Sequence, residues 1–163
     1  AMNNDMTFFG KKVCFIGAHP DDIEIGCGGA ILRLLEEMDN VCVWWIIFTS
    51  TPQRAEEARR SAELFLEKAS SRRVEVYDLE TSFLPFAAEQ AKRQFERIKA
   101  ECSPDLIFTH YRHDLHQDHR VICDLTWNTF RNCMILEYEI PKYDGDLGRR
   151  IVGIPSRGFP PHL

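Results

Sequence analysis

Two groups of side chains in this 163-residue chain have the types and spacing to hold a metal ion and activate water. The first is His19-Pro20-Asp21-Asp22. The second places His110, His113, His116 and His119 within ten residues, although the chain holds only six histidines. Imidazole nitrogen and carboxylate oxygen are suitable donors for zinc. His19 and Asp22 stand three apart with Pro20 bending the chain between them, and one histidine of the second group would complete three protein ligands. A fourth position left to water distinguishes a catalytic from a structural zinc site, and the metal lowers the pKa of that water. Asp21, a second carboxylate beside the ligands, could take up the water's proton. Each group also has a plainer explanation: Asp21 and Asp22 would serve as caps of the helix that follows, and histidines are common in surface loops. The occurrence of both groups at the ends of predicted strands points to a metal site.

The elements that must position these residues follow from periodicity. Residues 13–18 form a short apolar run that reads as a strand and ends in His19. Residues 28–38 carry Ile31, Leu34, Leu35 and Met38 at helical spacing. A second strand is expected over 41–49, rich in β-branched and aromatic residues, and a charged helix over 52–69 with Ala55, Ala58, Ala62, Phe65 and Leu66 inward. Further strands are expected at 74–77, 105–109 and 134–138, with helices at 89–100 and about 118–132. Strands alternating with helices mean a parallel sheet, in which ligands bind beyond the carboxyl ends of the strands where the winding reverses. A strand order of 3-2-1-4-5 would make the first and fourth strands neighbours. The two polar groups would then face each other across one crevice.

Composition narrows the classes. The chain is 44% hydrophobic and 28% charged, which suits one globular domain. A net charge of -5 argues against a general nucleic-acid binder. Arg54, Arg59, Arg60, Arg72 and Arg73 read as a solvated face rather than a basic patch. The longest apolar run, residues 41–48, is far short of a membrane span of roughly 20 residues. The first twelve residues lack the apolar stretch of a secretory signal, so a cytoplasmic location is expected. The six cysteines form no C-x-x-C pair and read as reduced, buried thiols. Gly26-Cys27-Gly28-Gly29 follows the first strand, but Ile31 stands where a dinucleotide fingerprint needs its third glycine, and the second strand ends in Thr49-Ser50 without an acid for a ribose. These glycines read instead as allowing the first helix to pack closely.

AHPDDIEIGCGG (18–29) and HQDH (116–119) resemble the two signature motifs of the PIG-L/LmbE-like de-N-acetylases, and similarity extends from about Lys12 to Gly148 through LEYEIP at 136–141. The resemblance implies a Rossmann-like α/β fold, a parallel sheet with helices on both faces. It also implies zinc-dependent removal of an acetyl group from an N-acetylglucosamine-type sugar or conjugate. By motif, His19, Asp22 and His119 match the ligands of Zn2+ or another divalent metal, and Asp21 matches the general base. His116 matches the histidine that, when protonated, stabilises the oxyanion or protonates the amine leaving group. Asp118 matches the acid that orients His116, and Arg54 resembles an arginine that contacts substrate. His110 and His113 match no motif position and read as residues of the site's lip.

The chain departs from that family at its end. Members usually continue well past the equivalent of Gly148, whereas here residues 146–163 form a proline- and glycine-rich stretch without periodicity, expected to be an irregular, truncated or naturally shortened tail of one 1–163 domain. The alternative reading is therefore a metal- or sugar-binding member with little or no catalysis. The family is often oligomeric, and the resemblance is compatible with a homo-oligomer. No nucleic-acid partner and no membrane span are expected.

Overall fold

The computed structural model describes residues 12–141. Along that span run β1 (Lys12–Gly17), α1 (Asp22–Glu37), β2 (Cys42–Thr49), α2 (Pro52–Phe65), β3 (Ser71–Leu79), α3 (Ala88–Cys102), β4 (Leu106–His110), α4 (Gln117–Thr129) and β5 (Met134–Tyr138), with a 3-10 turn at Leu84–Phe86. The strands pair in parallel in the order β3-β2-β1-β4-β5. This is the expected Rossmann-like α/β sheet, with the winding reversing between β1 and β4.

The period of two along the central strands builds the layers. Val13 and Phe15 share one face with Val43, Trp45 and Ile47, and Cys14 and Ile16 share the other with Trp44, Ile46 and Phe48. Both sets are almost fully buried, which is why β1 and β2 are continuous apolar runs rather than alternating ones. Ile23, Cys27, Ile31 and Leu35 of α1 and Ala62 of α2 cover the first face. Phe95 and Ile98 of α3 and Ile122 of α4 cover the second. Thr51 caps α2 by accepting from the Arg54 N–H, with Pro52 in the first turn. The six cysteines are free thiols, four of them buried, in keeping with the sequence expectation.

α2 and α4 end at Phe65 and Thr129, four and about three residues before the expected ends, and two further differences have a physical cause. α1 begins at Asp22 and not near Gly28. Its inward stripe runs Ile23, Cys27, Ile31, Leu35 at a spacing of four, and tertiary packing overrides the low helix propensity of Gly26, Gly28 and Gly29. β3 extends over Ser71–Leu79, because Ser71, Arg72 and Arg73 pair with Cys42, Val43 and Trp44 of β2. A polar edge strand is held by backbone pairing that hydrophobic alternation does not reveal. The arginine-rich face is paired: Arg54 meets Asp21, Arg72 meets Glu63 and Arg73 meets Glu75. The stretch 146–163, expected to be irregular, lies outside the described residues. No helix among the described residues is long and apolar enough to cross a membrane.

Candidate active site

The carboxyl ends of β1 and β4 are neighbours, and each delivers one of the polar groups found in the sequence. From the turn after β1 come His19, Asp21 and Asp22. From the end of β4, the following loop and the first turn of α4 come His110, Asp114, His116, Asp118 and His119. His19 Nδ1 and His119 Nε2 face each other at 3.1 Å, across 100 residues of sequence. One oxygen of Asp22 lies 3.4 Å from His19 Nδ1 and the other 3.4 Å from His119 Nε2. A tetrahedral ion with bonds of about 2.0–2.1 Å to such donors needs donor-to-donor edges of about 3.3 Å. These separations match that edge, with Asp22 meeting the two rings through different oxygens, so the donor set suits a divalent cation. His116 joins His19 and His119 in a second close trio of donors, and His110 joins Asp22 and His119 in a third.

Capping does not explain the two aspartates. Asp21 occupies the N-cap position of α1 but makes no side-chain cap hydrogen bond. Asp22 Oδ2 instead accepts from the backbone N–H of His19 at 2.7 Å. The Asp21 carboxylate points outward, half exposed, and receives a hydrogen bond from Arg54 Nη2 at 3.0 Å. The residue expected to take a proton and the residue expected to contact substrate are thus a pair.

The electrostatics follow from burial and crowding. Burial opposes the charge on Asp22, but His110, His119 and His19 around it hold its carboxyl far below the usual range. Burial likewise opposes protonation of His119. The carboxylates of Asp114 and Asp22 outweigh that effect and raise the imidazole to about 9 in the metal-free chain. His19 is also shifted up, with burial outweighed by Asp22 and Asp118. His116 is shifted down, by burial and by the neighbouring His119 and His19. Its Nδ1 accepts from the Asp118 backbone N–H at 3.2 Å, which places the proton of the neutral ring on Nε2. The protonated ring expected from the motif would need this N–H contact to turn away.

Three further placements differ from the sequence reading. His110 is no lip residue: it is fully buried, stacked on His119 with ring centroids 3.8 Å apart, and its Nε2 lies 3.0 Å from Asp22 Oδ2. Burial pushes it down to about 4, against the pull of Asp22. The expected strand stopped at residue 109, whereas β4 runs one residue further to His110 and is largely buried on both faces. His113 does remain exposed. Asp118 does not place its carboxylate on His116. Its Oδ2 lies 3.0 Å from His19 Nε2 instead, and only its backbone N–H reaches His116. Asp114, which no motif position flagged, is buried with Oδ2 3.1 Å from His119 Nδ1. The signal that could have found it is the carboxylate lying between two histidines, because ligating imidazoles usually donate their second N–H to one.

Comparisons with known proteins bear on this arrangement. Residues 14–130 match the family model described as PIG-L, GlcNAc-PI de-N-acetylase. The chain is 26% identical over 147 residues to the uncharacterized deacetylase YaiS of Escherichia coli (strain K12), covering 80% of this chain and 75% of that one. Its fold is similar to that of the N,N'-diacetylchitobiose deacetylase of Pyrococcus horikoshii, with TM-score 0.59 and 21% identity, over 85% of this chain and 63% of that one. It is similar as well to GalB, a 4-carboxy-2-hydroxymuconate hydratase from Pseudomonas putida KT2440, with TM-score 0.60 and 18% identity, over 74% of this chain and 55% of that one. The chain thus spans less than two thirds of the length of these two structural neighbours. One fold at similar distance carries both a deacetylase and a hydratase, so reaction type must be argued from the site.

Proposed function

This chain belongs to the PIG-L family of de-N-acetylases, and on that premise we propose that it is a metal-dependent hydrolase that removes the acetyl group from an N-acetylated amino sugar or sugar conjugate. The observation that carries the proposal is the convergence of His19 Nδ1, His119 Nε2 and the Asp22 carboxylate at 3.1–3.4 Å, with the His116 ring against those of His19 and His119 at 4.6 Å. His19, Asp22 and His119 would hold the ion, Zn2+ or another divalent metal. When bound, it supplies Lewis acidity and makes water a competent nucleophile near neutral pH.

The chain's own groups divide the remaining work. The Asp21 carboxylate, aimed by Arg54 Nη2, takes a proton from the attacking water as the new C–O bond forms on the acetyl carbon. His116 Nε2–H donates a hydrogen bond to the oxygen on which negative charge develops. Since a neutral imidazole is a poor acid, the proton now on Asp21 passes to the amide nitrogen as the C–N bond breaks, releasing acetate and the free amine. Arg54, half exposed beside Asp21, would also meet substrate hydroxyls or phosphate.

Acetate release from a panel of N-acetylated sugars, with and without chelator, tests the proposal. Chelator-sensitive acetate release supports it. Bound metal without acetate release favours the alternative, a metal- or sugar-binding member with little or no catalysis. Turnover unaffected by chelator would refute the metal dependence.

A further inference from the structure

The two metal-facing histidines present different ring nitrogens to the centre: His19 uses Nδ1 and His119 uses Nε2. Neutral imidazole carries one proton, so each ring must hold it on the distal nitrogen for the inner lone pair to be free. For His19 the distal nitrogen is Nε2, 3.0 Å from Asp118 Oδ2. For His119 it is Nδ1, 3.1 Å from Asp114 Oδ2, an ion-pair contact whose N–H lies off the line of a full hydrogen bond. Both carboxylates are buried, and both are themselves fixed by backbone donors. Asp118 accepts the N–H of Ser82 at 2.7 Å and that of Leu84 at 3.2 Å. Asp114 Oδ1 accepts the N–H of His116 at 2.7 Å.

We infer that Asp114 and Asp118 are positioning residues that set opposite tautomers on His119 and His19, so that two rings arriving from different elements aim their lone pairs at one point. The inference rests on the metal reading above and deepens it. It moves the role of Asp118 from His116 to His19, and it assigns Asp114 a role that the motifs do not give it. Each carboxylate also ties its histidine to a loop: Asp118 holds the backbone after β3, and Asp114 holds the turn between β4 and α4. An asparagine can keep some of those backbone contacts, but it offers the ring N–H a neutral acceptor in place of an anion.

Competition with a chromophoric chelator measures Zn2+ affinity in the wild type, Asp114→Asn and Asp118→Asn. Each substitution is expected to weaken binding by about 10- to 100-fold, the usual cost of losing such a partner, with the far-ultraviolet spectrum unchanged. In the Zn2+-loaded wild type, where no substitution can disturb folding, 15N spectra should show protons on His19 Nε2 and His119 Nδ1. The reverse tautomer at either ring overturns the inference. So does wild-type affinity in both variants, which leaves the metal reading standing. A wild-type chain that takes up no Zn2+ overturns both together.

Discussion

Gly26 and Gly29 lie one turn apart in α1, and the same substitution is expected to act in opposite directions at the two. Alanine in a helix interior is worth about 1 kcal/mol over glycine. At Gly29 nothing stands within 4 Å of an added Cβ, so Gly29→Ala should collect that gain. At Gly26 the added Cβ would lie 2.3 Å from Tyr138 Cδ2 and 2.8 Å from Cε2. Tyr138 has little room to retreat. It is 7% exposed, its hydroxyl donates to the Ile16 carbonyl at 2.8 Å, and its ring packs on His110 at 4.8 Å. Overpacking of this kind costs about 1–3 kcal/mol, and a lost buried hydrogen bond adds roughly 1 kcal/mol. After subtracting the helix gain, Gly26→Ala should destabilise by about 2 kcal/mol. For a chain of this length, that lowers Tm by about 4–8 °C, while Gly29→Ala raises it by about 2–4 °C. Thermal melts of the two variants beside the wild type decide the matter. A Tm for Gly26→Ala equal to or above that of the wild type would show that α1 and β5 are not in contact through Tyr138, and the argument would fail.

Asp21→Ala should lower acetate release by about 10²–10⁴-fold while bound metal stays at the wild-type level, whereas His19→Ala and His119→Ala should lose the metal; elemental analysis alongside the activity assay separates the two outcomes. His116→Ala should cost about 10²–10³-fold in kcat, as removal of an oxyanion donor does, with metal retained; an unchanged kcat would remove His116 from the reaction. Stability of the chelated chain should fall as pH rises from about 6.5 to about 9. The His119 pKa is raised to about 9 in the folded metal-free chain, above the unfolded value near 6.5. Its contribution is therefore fully present below the unfolded value and lost through the folded one. Urea melts at three pH values across that window check the sign, and a metal-free stability that rises with pH would contradict it. Arg54→Ala should reduce turnover without releasing metal, since its contact is with Asp21 and with none of the ligands.

Much of this architecture was legible in the sequence because two periodicities were clean. Alternation of strand and helix implied a parallel sheet; the order 3-2-1-4-5, posed as the condition for a crevice between the first and fourth strands, is the order observed. β5, at Met134–Tyr138, coincides with the apolar run that predicted it. The start of α1 was obscured because three glycines and a proline-bearing turn imitate a loop, while the inward stripe from Ile23 onward is a tertiary effect. The metal-facing residues were visible from donor chemistry and motif spacing. Their support was not, because which carboxylate meets which imidazole depends on directions of side chains that spacing does not encode. Asp118 sits two residues from His116, yet its carboxylate turns to a ring 99 residues away. His110 was misplaced because the strand was read as ending at residue 109, which left the histidine to the loop, whereas β4 runs one residue further and buries it.

The seam between β1 and β4 also gives the site a kinetic meaning. Its two halves lie on opposite sides of a chain closure of about one hundred residues, and such long-range pairing is among the slower events of folding. β1, β2 and β3, with α1 and α2, can assemble from local connections and still present only His19 and Asp22. A cation held by His19, Asp22 and His119 would have its full set of ligands only after the later half of the chain has docked. Metal capture would report on the docking of β4 and α4 against β1.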